Sequence, residues 1–115
     1  MQADLKLIEE TETHTTVALS GSIDMLGAGD IEASFINYTV NRKKDTLVDM
    51  SAVDFLGSMG IRVFVSAAKA LFRDQKKLVL FAALPSIEKT LSLSGFTAFI
   101  PVASTAKDAK ALIGV

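Results

Sequence analysis

A short apolar strand that turns, through glycine and serine, straight into an amphipathic helix leaves few architectures open. Residues 46–73, TLVDMSAVDFLGSMGIRVFVSAAKALFR, read that way. Leu47-Val48, with Thr46 before them, form the core of a buried strand. A turn containing Gly57, Ser58 and Gly60 follows. Ile61, Phe64, Val65, Ala68, Leu71 and Phe72 then fall at i, i+3, i+4, i+7, i+10 and i+11, one face of a helix. Ser58 stands just before that period begins, where a hydroxyl serves as a helix N-cap.

The flanks repeat the alternation of strand and helix. Residues 5–8 and 15–20 have strand character, and the polar stretch from Glu9 to His14 suits a hairpin between them. Gly21-Ser22-Ile23-Asp24 breaks the pattern. Asp24 is placed to cap a helix carrying Ala28, Ile31, Phe35 and Tyr38, whose first turn Gly27 and Gly29 weaken. After the central unit, Leu78-Val79-Leu80-Phe81 is a continuous apolar run, typical of a strand covered on both faces. Pro85 fits the first turn of a helix with Ile87 and Leu91 inward, ending near Gly95. Phe99-Ile100-Pro101-Val102 reads as a short last strand that Pro101 confines to an edge. Ser104 is the expected cap of a final helix with Ala106, Ala109, Leu112 and Ile113 inward.

The order is therefore β-β-α-β-α-β-α-β-α, a single small α/β domain with a mixed sheet, parallel in its later strands. Right-handed crossovers put the successive helices mainly on one face. At 115 residues the chain is long enough for one core and too short for two.

Composition removes several function classes. Twelve basic and 13 acidic residues leave a net charge of −1, against the clustered basic face that nucleic acid requires. The one basic run, Arg42-Lys43-Lys44, reads as a solvated connector. With no cysteine there is no disulfide, thiol nucleophile or thiolate metal site. The first residues, MQADLKLIEE, lack the pattern of a secretory signal, and the longest apolar run, residues 78–84, is too short to span a bilayer. A cytoplasmic protein with no membrane partner is expected.

Catalysis finds little support. His14, the single histidine, lies in the hairpin as an expected surface residue, far in sequence from any nucleophile. Asp24, Asp49 and Asp54 sit near strand ends, but Asp49 and Asp54 fit ordinary loop roles better than ion binding. Gly57-Ser58-Met59-Gly60 matches neither a P-loop nor a dinucleotide fingerprint, and no cofactor is implied. A small hydrolase or phosphoryl-transfer enzyme using Ser58 as nucleophile lacks a nearby base.

Ser58 itself has two readings. As a plain N-cap it stabilises the helix by roughly 0.5–2 kcal/mol. As a phosphate acceptor it would place about −1.5 to −2 charges beside free helix N–H groups and the positive end of the dipole. Met25 and Met59, on the two flanking turns, are either adaptable apolar contacts for a partner or part of the core.

The motif Asp49-Met50-Ser51-x-Val53-x-Phe55-Leu56-x-Ser58-x-Gly60-Ile61 resembles the signature of STAS domains, specifically the bacterial anti-sigma-factor antagonists. Gly21-x-Ile23-Asp24 and Leu93-Ser94-Gly95-Phe96 extend the likeness over nearly the whole chain. The resemblance implies that Ser58 is phosphorylated by a serine kinase that is also the anti-sigma factor, and that a serine phosphatase reverses this. A partner-binding surface of Asp24, Met25, Gly57, Ser58, Met59 and Gly60 is expected around that serine. The commonest family pattern, D-S-[ST]-G, has Asp where Gly57 stands and Ser or Thr where Met59 stands. Ser58 is thus the one hydroxyl in the turn. STAS domains also serve as subunits of transporters or lipid-trafficking assemblies, which is the alternative role.

Overall fold

The computed structural model describes residues 2–98 and 100–115. The chain runs β1 (Asp4–Glu10), β2 (His14–Ile23), α1 (Met25–Tyr38), β3 (Asp45–Leu56), α2 (Ser58–Arg73), β4 (Leu78–Phe81), α3 (Pro85–Leu93), β5 (Val102–Ala103) and α4 (Ala106–Leu112). Single 3-10 turns at Val40–Arg42 and Phe96–Ala98 complete it.

The five strands lie in the sheet in the order in which they occur in the chain. β1 is antiparallel to β2, and every later pair is parallel. A right-handed crossover that always steps the same way along a sheet lands each time on the same face. α1, α2 and α3 accordingly pack together on one face, over Val17, Leu19 and Ile23 of β2, Val48, Met50 and Val53 of β3, and Leu78 and Leu80 of β4. No crossover constrains α4. It covers the opposite face, where Ala109 and Ile113 meet Leu47, Val79, Phe81 and Ala103. The alternation along β4 explains its unbroken apolar sequence: each side chain points into one of two cores.

The centre of the main core is aromatic. Phe35 of α1 and Phe64 of α2 meet with tilted rings, centroids 5.4 Å apart, and Phe96 meets Phe64 edge-on at 6.1 Å. All three are buried.

Several expectations need correction. β2 does not break at Gly21 but runs to Ile23; Gly21, at φ 83, takes up the register shift beside it without ending the pairing with β3. β3 extends from Asp45 to Leu56, so Asp49 and Asp54 are strand residues, not loop residues. Asp49 uses an oxygen to accept from the Ser51 N–H at 2.9 Å. On α2 the buried residues are Gly60, Val63, Phe64, Ala67 and Leu71, while Phe72 is 79% exposed. The helix is rotated because Gly60 is its point of closest approach to the sheet: a Cβ there would lie 2.6 Å from Ile23 and 2.7 Å from Leu56. The cap of α4 is Thr105, which accepts from the Asp108 N–H at 3.1 Å, rather than Ser104. Ala106 and Leu112 of that helix are exposed, not inward. The last strand is Val102–Ala103, just past Pro101; Phe99 lies outside the described residues.

His14 is buried, not on the surface. It opens β2, and its Nε2 lies 3.0 Å from Glu9 across the hairpin. The Thr11 hydroxyl forms the turn by accepting from the N–H groups of Thr13 and His14. Lys44 donates to the Thr11 carbonyl at 2.7 Å and pairs with Glu10, as does Arg42, so much of the basic run is engaged at the hairpin.

The hydrogen bond from His14 holds the Glu9 carboxyl below its ordinary range, and the Lys110 ammonium adds to this. A carboxylate with a lowered folded pKa contributes stability above its unfolded value, about pH 4.3, and loses it as pH falls through the folded value. Urea midpoints measured at steps from about pH 6 down to 3 are therefore expected to decline less steeply in Glu9→Gln than in the parent. Parallel declines would show that Glu9 is not linked to folding.

Candidate functional site

The C-terminal ends of β2 and β3 and the N-termini of α1 and α2 meet at one edge of the sheet, where loops of parallel α/β sheets form binding surfaces. Ile23 and Leu56 are paired at the end of the β2–β3 ladder. The Gly57 N–H continues the connection by donating to the Ile23 carbonyl at 3.0 Å. Asp24 and Met25 leave one strand beside the point where Ser58 and Met59 leave the other.

Two helix starts of different kinds result. At α1, Asp24 is extended and its Oδ1 accepts from the Gly27 N–H at 2.8 Å. Gly27 is required there, since a Cβ would fall 2.1 Å from the Ser22 carbonyl oxygen. The glycine that weakens helix propensity is what lets α1 pack against the end of β2. At α2 the cap residue is Gly57, extended at φ −99 and ψ 178, and no side chain caps the helix. Because Gly57 is tied back to the sheet, its carbonyl accepts the first helical bond, from the Ile61 N–H at 3.2 Å. Ser58 is thus not the N-cap but the first helical residue, and it is exposed.

The hydroxyl of Ser58 therefore stands at the positive end of a 16-residue helix whose first-turn N–H groups have no side-chain acceptor. Among the described residues no histidine is near it. His14 starts β2, at the opposite end of the strand that finishes beside Gly57. No group of three or more His, Cys, Asp or Glu among the described residues could hold a metal ion. The arrangement suits an anion.

Several exposed side chains on the elements that meet at Ser58 are apolar. Met25 is 71% and Met59 38% exposed, so neither is a core methionine. The sequence reading did not single out Phe55, 52% exposed at the end of β3, or Leu26 on the first turn of α1, also exposed. Strict alternation would put Phe55 on the same face as buried Val53; the register shift between the Gly21–Val53 and Ser22–Phe55 pairs turns the ring outward, and the sequence carries no signal for it. Gly57 bears on it directly: a Cβ at 57 would sit 3.3 Å from the Phe55 ring. Gly60 is buried under the helix start and serves packing. The site thus consists of an exposed hydroxyl, an exposed carboxylate at Asp24, and apolar side chains from three elements.

The chain belongs to the STAS domain family, whose model matches residues 6–109. Among its relatives, BtrV of Bordetella bronchiseptica, named as a candidate anti-sigma factor antagonist, is 29% identical over 93 residues, 81% of this chain and 80% of the relative. The anti-sigma-B factor antagonist of Listeria monocytogenes is 26% identical over 102 residues, 89% of this chain and 90% of the relative. The crystal structure of an anti-sigma factor antagonist from Mycobacterium paratuberculosis has a TM-score of 0.79 at 26% identity, covering 96% of this chain and 94% of that one.

Proposed function

We propose that this protein is an anti-sigma-factor antagonist. Unphosphorylated, it binds an anti-sigma factor that is a serine kinase, through Ser58, Asp24, Met25, Gly57 and Met59 together with Phe55, while Gly60, buried beneath the helix start, takes no part in the contact. Phosphorylation at Ser58 ends that complex, and a serine phosphatase restores it. The reading is of a regulatory binding module acting in the cytoplasm, without direct contact to nucleic acid.

The observation that carries this proposal is the exposed Ser58 hydroxyl on the first turn of a helix lacking a side-chain cap. A phosphoryl group there meets unused N–H donors and the positive helix end, so the fold can accept it. The exposed Met25, Met59 and Phe55 supply apolar contact area around it, and methionine adapts to a partner's contour. The names borne by relatives that match most of the chain agree with this role. The glycine at 57 leaves kinase recognition to the apolar surroundings and Asp24, in place of an adjacent carboxylate.

Incubation with the cognate kinase and ATP is expected to add one phosphate, seen by intact mass, and Ser58→Ala is expected to abolish it. Phosphate on another residue, or none from a kinase active on a control substrate, overturns the assignment.

A further inference from the structure

At the other end of α2, about 20 Å from Ser58 by helix rise, lies a groove of about 650 Å³. Ala68, Phe72, Leu78 and Pro101 form its apolar lining. Phe72 is the most unusual of these: a phenylalanine on the last turn of a helix, 79% exposed. The groove is bordered by Lys69, Arg73 and Lys76. Among the described residues none of these three has an ion-pair partner. A fourth cation, Lys77, donates instead to the Leu112 carbonyl at the end of α4. The end of α2 is fixed by Gln75 at φ 61 and by the Lys76 N–H donating to the Leu71 carbonyl at 2.9 Å, which holds Lys76 at the groove's border.

The arrangement is linear. Ala68 and Phe72 are i and i+4 on α2, and Lys69 and Arg73 are the adjacent i and i+4 pair; Lys76, past the end of the helix, also lines the groove. An apolar row beside a cationic row, in a chain of net charge −1, is complementary to one shape of ligand. We propose that this groove docks an acidic amphipathic helix of a partner protein, with leucine-like side chains seated between Phe72 and Pro101 and carboxylates against Lys69, Arg73 and Lys76. A flat anionic membrane matches the cations but not the concave lining. The groove is remote from Ser58, so occupancy there is compatible with either state of the serine.

The test uses a synthetic peptide of about 18 residues, helical by design, with leucines at i and i+4 and glutamates beside them. Its binding to the full chain is followed by fluorescence anisotropy at about 0.1 M salt, and the site by amide shifts. The expected result is saturable binding that moves the amides of Ala68, Phe72 and Leu78 and leaves those of Ser58 and Met59 in place. Phe72→Ser is expected to weaken it about tenfold. Lys69→Glu with Arg73→Glu is expected to weaken it at least about tenfold. Both positions are exposed, and Lys69→Gln with Arg73→Gln, expected to have an intermediate effect, guards against misfolding of the reversed pair. The proposal is overturned if a lysine-for-glutamate version of the peptide binds as well, or if the variants bind unchanged. It is equally overturned if dodecanoate or phosphatidylglycerol vesicles move these amides while the peptide does not.

Discussion

Ser58→Glu is expected to lower affinity for the kinase-type anti-sigma factor by about 30- to 5000-fold while leaving the fold as stable as before or slightly more so. The two effects have opposite signs for one physical reason. At the first position of α2 a carboxylate faces the positive helix end and N–H groups that no side chain caps, which favours the folded chain by about 0.3–1 kcal/mol. In the proposed complex the same charge would be enclosed among Met25, Met59 and Phe55, with water excluded. A desolvated, unpaired charge at an interface costs on the order of 2–5 kcal/mol, which is the fold-change just given. Calorimetric titration against the partner, with a thermal melt of each variant, separates the two. A glutamate variant that binds like the parent, or one whose binding loss follows a fall of several degrees in Tm, contradicts the proposed switch.

The second large effect is structural. Phe64→Ala is expected to destabilise the domain by about 3–5 kcal/mol, the range for removing a fully buried phenylalanine. Its ring sits between Phe35 and Phe96, with centroids at 5.4 and 6.1 Å, and so ties α1, α2 and the turn after α3 into one cluster. For a domain of this size Tm is expected to fall by roughly 10–25 °C. Phe64→Leu, which keeps most of the volume, is expected to cost less than about 1.5 kcal/mol. Urea unfolding of both variants checks this. A loss below about 1 kcal/mol in Phe64→Ala would mean that the core closes over the cavity and that the aromatic cluster is not its keystone.

The sequence carried the architecture well because two periodicities alternate along it without interruption. The run Leu78-Val79-Leu80-Phe81 already implied two covered faces, and both are found. What it did not carry were features set by contacts between segments far apart in the chain. The orientation of α2 depends on Gly60 nesting against Ile23 and Leu56, so a helical period read within residues 58–73 alone placed Phe72 inward. The burial of His14 depends on Glu9 across the hairpin and on β3 beside it. Ser58 was legible as a residue at a helix start, but its exact position was not. The Gly57 N–H bond to the Ile23 carbonyl moves the cap back by one residue and turns the serine from a capping group into an exposed one. The exposure of Phe55, present in the motif, and of Leu26 was not legible, because an exposed apolar side chain is recognised only once the core positions around it are occupied.

The sequential order of the strands has a consequence for how the molecule is made. Each parallel strand pairs with the one synthesised before it, roughly twenty to thirty residues upstream, and none has to await a partner from a later part of the chain. Nascent β3 can therefore dock on a β1–β2–α1 unit already outside the ribosome, and each following βα unit extends the sheet from its growing edge. The last helix, arriving on the bare side, closes the second core only after the others have assembled.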